Sequence, residues 1–281
     1  MSNPTRWVVD SNCLQSQDLA DFLSGSRSHI AVITDYTCME MFKSQQDSAV
    51  YERLSVLARF PGQMLMLKGT TAVCGLRGRE AGLSRRLIDQ DQTRSFQTFC
   101  QQVAKFADGD NRYRTDFVRK QNLAREHLDR MANDLSERAA NYAGFEALFT
   151  PAEIRSIRDR NGIHRSAGQK FFDLLEMLAE SLERDHPNTK HRHSLKEWPN
   201  TFIYRLALFH MVHFFDWVRG GSPTKLNPEK SRNDAVDLIL GVYATYFDGL
   251  FTDDKKSLRI YAEASLLLEK FILPATRGLT E

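Results

Sequence analysis

Four short apolar runs constrain this chain more than anything else in it. Trp7-Val8-Val9, Ile30-Ala31-Val32-Ile33 and Met64-Leu65-Met66-Leu67 lie near the start, and Gly249-Leu250-Phe251-Thr252 stands alone near the other end. Each has strand length, and helical pattern separates one from the next: residues 15–23, a helix from Asp35 that carries Glu40, and residues 48–59. Short apolar strands alternating with helices form a parallel sheet covered on both faces. A helix over residues 233–246 leads into the fourth run, and a last one covers residues 256–269.

Between the third and fourth runs the pattern changes. From about Ser95 to Gly220 almost everything reads as helix. Phe117, Ala124, Leu128, Met131, Leu135 and Ala139 recur at helical spacing, which predicts one long helix. Thr150-Pro-Ala-Glu153 and Ser166-Ala-Gly-Gln169 have the capping-box pattern. The most apolar segment, FIYRLALFHMVHFFDWV at 202–218, contains Arg205, His210, His213 and Asp216. Spanning a bilayer takes about 20 mostly apolar residues, so this segment reads as a core helix, opened by Pro199 and ended by Gly220-Gly221. A long excursion from a loop adds little closure entropy. Residues 1–70 and 231–281 are therefore expected to form one α/β domain, and residues 71–230 a helical insertion.

Composition narrows the setting. A chain of 281 residues can bury a large core, and a formal charge of +2 neither demands nor forbids a nucleic-acid partner. Cys13, Cys38, Cys74 and Cys100 are scattered, without a C-x-x-C pair, which suits a reducing compartment and argues against a disulfide framework or zinc ribbon. The N-terminal MSNPTRWVVD has too short an apolar stretch for a signal peptide. The expectation is a soluble, cytoplasmic protein without a membrane role. No P-loop, Rossmann glycine pattern, G-x-S-x-G elbow or H-E-x-x-H occurs.

The chemistry lies in acids at the strand ends. Asp10 ends the first run, Glu40 follows the second, and Asp253 and Asp254 end the fourth. Asp234 and Asp237, three apart on the preceding helix, share a face. In an open parallel sheet all six fall beyond the carboxyl ends of the strands, where ligands bind. So many carboxylates repel one another unless cations neutralise them, and Mg²⁺ and Mn²⁺ prefer oxygen ligands.

The segments V-V-D-S-N (8–12), Y-T-C-M-E (36–40), D-L-I-L-G-V-Y-A (237–244) and L-F-T-D-D (250–254) resemble those of PIN-domain proteins, a superfamily of metal-dependent nucleases that includes bacterial toxin ribonucleases. The resemblance covers the two ends of the chain and not its middle. It implies an α/β PIN-like parallel sheet of short strands flanked by helices, interrupted by a large all-helical insertion. It further implies catalytic acids Asp10, Glu40, Asp237 and Asp254, a Mg²⁺ or Mn²⁺ site to which Asp234 and Asp253 also contribute, and support from Asn12 and Thr252. The implied activity is phosphodiester hydrolysis, with RNA ahead of DNA as partner and an antitoxin or other protein as a second partner. The last helix leaves only Phe271-Ile272-Leu273 for the final strand of such proteins.

Basic stretches at 77–86 and 112–120, with Arg77, Arg79, Arg85, Arg86, Arg112 and Arg114, suit a phosphate backbone. Two readings compete with the nuclease. Arg158 and His164, in RDRNGIH, resemble the motif of metal-independent HEPN ribonucleases. Alternatively the fold is kept without catalysis, as a partner-binding module.

Overall fold

The structure, a computed structural model, describes residues 4–44, 47–134, 138–159, 162–189, 193–224 and 227–277. The chain is α/β, with a small parallel sheet and many helices. In order, the elements are β1 (Thr5–Val9), α1 (Gln17–Gly25), β2 (His29–Ile33), α2 (Asp35–Phe42), α3 (Asp47–Leu54), β3 (Met64–Met66), α4 (Thr70–Cys74), α5 (Leu83–Leu87), α6 (Gln90–Ala107) and α7 (Arg114–Asp134). There follow α8 (Arg138–Glu146), α9 (Pro151–Asp159), α10 (Arg165–Asp185), α11 (Phe202–Arg219), α12 (Pro228–Ala244), β4 (Gly249–Phe251), α13 (Lys255–Leu267) and α14 (Leu273–Arg277). No strand is found among the described residues between β3 and β4.

Two compact units divide the chain. The first comprises Met1–Val73, Gly82–Arg130 and Tyr243–Lys255. Its four strands run parallel in the order β3-β2-β1-β4, with Trp7 opposite Ala31 and Gly249, and Val32 opposite Leu65. Ser16 starts α1 by accepting the Leu19 N–H, and Thr34 starts α2 by accepting that of Thr37. The Gln63 side-chain amide donates to the carbonyls of Leu23, Ser26 and His29, fixing the entry to β3 against the turn before β2.

The division differs from the expected one because α6 and the first part of α7 complete the core of the sheet. Phe96, Cys100, Val103 and Phe106 recur on one face of α6, and they share a buried cluster with Val9, Leu19, Ile33 and Met66. Phe117 of α7 stacks on Phe106 with ring centroids 4.7 Å apart. A small four-stranded sheet has two faces to cover, and α6 supplies apolar area that the short helices α1 to α3 lack.

The second unit comprises Cys74–Ala81, Met131–Val242 and Lys256–Glu281. Its centre is α11, buried nearly all round, as its composition requires. Thr201 caps it by accepting the Tyr204 N–H, while Pro199 lies in the turn before it. Its buried Arg205 donates to the Pro199 carbonyl and the Asn200 side chain. Gly241 of α12 packs directly on the Phe209 ring of α11. The Thr150–Glu153 box forms reciprocally: Thr150 N–H to the Glu153 carboxylate at 2.7 Å, Glu153 N–H to Thr150 Oγ at 3.3 Å. The second expected box does not cap a helix, because α10 already begins at Arg165 and Ser166 instead donates to Glu153.

The expected long helix over 117–139 is helical on both sides of residues 135–137, as α7 and α8, and Leu135 lies outside the described residues. Phe271-Ile272-Leu273 forms no strand; residues Leu268–Ile272 make a π-helical turn that runs into α14. No helix among the described residues is long and apolar enough to cross a membrane.

Candidate functional site

The strand order places a reversal beside β1. From β1 the chain steps to β2 and β3 on one side, whereas β4 returns to the other side. Ligands in open parallel sheets bind beyond the carboxyl ends of the strands at such a reversal. Asp10 directly follows β1, and Thr252-Asp253-Asp254 directly follow β4. The Asp10 N–H donates to the Phe251 carbonyl at 2.9 Å, joining the two ends.

Asp10 is 6% exposed. Thr252 Oγ donates to its carboxylate at 2.7 Å, and the backbone amides of Asn12 and Ser11 also bond to it. Burial pushes its pKa above the ordinary carboxylate value; these bonds oppose the rise, and the Glu40 charge adds to it. The Glu40 charge is the smallest of these influences on Asp10.

Glu40 reaches this edge through Thr37 of α2. Thr37 Oγ donates to the Val9 carbonyl at 3.0 Å, fastening the helix to the end of β1, and Glu40 follows one turn later. Glu40 is 8% exposed. Lys43 donates to one carboxylate oxygen, whereas Oε1 is buried without a hydrogen-bond partner among the described residues. A buried acceptor left unmatched costs about 1–3 kcal/mol, more when charged.

Asp253 is exposed, and its side chain approaches the buried Cys13 thiol. Burial, then the charges of Asp253 and Asp10, push that thiol up to about 12, so Cys13 stays protonated. The Asn12 side chain accepts from Cys13 Sγ at 3.0 Å. Asp254 N–H donates to Thr252 Oγ at 3.1 Å, which orients the hydroxyl toward Asp10.

Asp234 and Asp237 lie on the part of α12 that belongs to the second unit. There Asp234 accepts from Lys256 at 2.7 Å, and His213 Nε2 lies 3.5 Å away. Burial alone would raise the Asp234 carboxyl, yet the bonds from His213 and Lys256 overcome it and hold the carboxyl at about 2. Asp237 lines the same small enclosed cavity. The Lys256 and His213 contacts, unforeseen in the sequence, come from residues far from Asp234 along the chain; only the apolar helix around His213 hinted that it is buried. Among the described residues no three histidine, cysteine or acidic side chains gather closely enough to hold an ion. Lys43 meets Glu40, Thr252 and two backbone amides meet Asp10, and Lys256 with His213 meets Asp234.

The expected basic surface is also divided. Arg77 and Arg79 belong to the second unit, where Arg79 lies 3.7 Å from Glu197. Arg85, Arg86, Arg112 and Arg114 belong to the first, and Arg112 grips Asp110 through two nitrogens. Arg158 is bound to the Val218 carbonyl, Glu146 and Ser222, each at 3.2 Å, whereas His164 pairs with Ser166. Arg160 and Asn161 lie outside the described residues. Comparison with protein-family models, curated proteins and solved structures returns no match.

Proposed function

We propose that the first unit is a divalent-metal-dependent nuclease, hydrolysing phosphodiester bonds of single-stranded RNA. The observation that carries this reading is the Asp10–Glu40 pair beside the sheet reversal, with Glu40 Oε1 buried and unmatched among the described residues. Two carboxylates suffice for Mg²⁺, which commonly keeps several waters and completes its shell with substrate phosphate oxygens. Asp10 and Glu40 would hold the ion, with Asp253 at the exposed rim. When bound, Mg²⁺ or Mn²⁺ acidifies a water and neutralises charge developing on the phosphate.

The remaining steps belong to the chain. Thr252 and the amides of Ser11 and Asn12 fix the Asp10 carboxylate in one orientation. Thr37 holds α2 against β1, so Glu40 keeps its distance from Asp10 without help from the ion. Such a supporting layer matters, since removing one outer partner of a metal ligand typically costs about 10–100-fold.

The test is cleavage of a labelled single-stranded RNA by purified protein. Activity should require Mg²⁺ or Mn²⁺, stop with a chelator and fall at least 100-fold in Asp10→Asn. Arg158→Ala with His164→Ala should leave it largely intact. Cleavage that survives chelation and disappears in His164→Ala would establish the metal-independent alternative instead.

A further inference from the structure

A groove in the first unit lies beyond the ends of β2 and β3, at the same sheet edge as Asp10 and Glu40. Its floor is built from α2, with Cys38, Met39 and Phe42, and its wall from α7. Lys120, Leu123, His127 and Arg130 line that wall, and their spacing of three, four and three places them on one stripe of the helix. Leu123 is 55% exposed, an apolar side chain standing among three basic ones.

The charges of the groove do not cancel internally. Lys120 Nζ lies 5.1 Å from the centre of the Phe99 ring and 5.8 Å from that of Phe42, held by the ring faces, with no ion pair to an acid among the described residues. His127 meets the Tyr36 hydroxyl at 3.2 Å. The acid of the groove, Asp35, is engaged by the Thr70 N–H at 2.6 Å, the Thr70 hydroxyl at 2.8 Å and the Tyr36 N–H at 3.0 Å. Burial also raises its pKa, against the effect of those bonds. Asp116, one turn before Lys120, faces Arg119 at 3.5 Å.

We infer that this groove is the track of a single-stranded nucleic acid, with phosphates on Lys120, His127 and Arg130 and an unstacked base against Leu123 and Met39. The ligand class rests on the nuclease reading of the same unit. A basic stripe interrupted by exposed apolar surface suits a single strand, whose bases are free to make apolar contact; a duplex hides its base faces. Placement agrees, because α2 carries both Met39, which lines the groove, and Glu40, whose charge acts on Asp10. The arginines expected from sequence, Arg112 among them, are not needed for this track.

The experiment is fluorescence anisotropy of a labelled single-stranded RNA oligonucleotide with the full chain in chelator, so that binding is read without cleavage. The wild type should bind with a clear salt dependence. Lys120→Gln with Arg130→Gln should weaken binding at least tenfold and reduce the log–log salt slope by about 1.4, about 0.7 for each lost phosphate contact. Leu123→Asp, at an exposed position where folding is not at stake, should weaken binding alone, and Arg119→Gln should leave the slope unchanged. Equal affinity and slope in wild type and double variant, or no binding by the wild type, overturns the assignment, and a protein-binding groove would give that result. Binding of the expected kind without any cleavage in Mg²⁺ or Mn²⁺ refutes the nuclease reading and leaves the track standing.

Discussion

Asp10 shows how a single side chain records its surroundings. Burial and the Glu40 charge favour its protonated form in the folded chain, so its folded pKa lies above the unfolded value near 3.8. The folded state then binds this proton more tightly than the unfolded state. The stability so gained is complete below the unfolded pKa and is lost as pH rises through the raised folded value. In metal-free protein, Asp10→Asn should therefore raise the melting temperature at pH 7 and change it less at pH 4. A gain of 1 kcal/mol corresponds to about 2–4 °C for domains of 150–250 residues. Thermal unfolding of both proteins across that pH range checks the sign; an Asn variant less stable at pH 7 would mean that the acid is satisfied as it stands. Asp10 and Glu40 were legible in the sequence because each follows a short apolar strand. Lys43 beside Glu40 and Lys256 beside Asp234 were not, because long flexible side chains choose partners only once the backbone is placed.

Among the elements, the strands were the clearest in advance. All four appear within a residue or two of the apolar runs, because a run apolar on both faces and bounded by turns has few other uses. Helix junctions were less legible. Pro199 suggested the start of α11, but Thr201 supplies the cap, since a hydroxyl meets an orphan N–H and proline only tolerates lacking one. Close packing was invisible. Gly241, in the middle of α12, lies where a Cβ would run into the buried Phe209 ring. Alanine gains about 1 kcal/mol over glycine in a helix interior. Overpacking a filled core costs about 1–3 kcal/mol. Because the obstacle is a ring with no room to retreat, Gly241→Ala should be destabilising, lowering the denaturant midpoint without changing the slope. An unchanged or raised midpoint would show that α11 and α12 are less tightly packed than described.

For the whole molecule, the sequence pointed to an α/β chain interrupted by helices, and it placed α6 and α7 in the interruption, whereas the compact units group α6 and the first part of α7 with the sheet. Their apolar stripes do not say which surface they cover, and only the buried cluster joins them to the sheet. That assignment matters for function, because it puts the α7 stripe and the Asp10–Glu40 pair in one unit. The proposed cation site of this unit is Asp10 with Glu40. Calorimetric titration of the purified full chain with Mn²⁺ tests it most directly. The wild type should show saturable binding, with a loss of at least tenfold in Asp10→Asn and in Glu40→Gln, a loss of about 10–100-fold in Thr252→Val, and unchanged binding in Asp234→Asn, whose carboxylate is held by Lys256. A wild type that takes up no Mn²⁺, or Asp10→Asn and Glu40→Gln variants that bind it as well as the wild type, would contradict it.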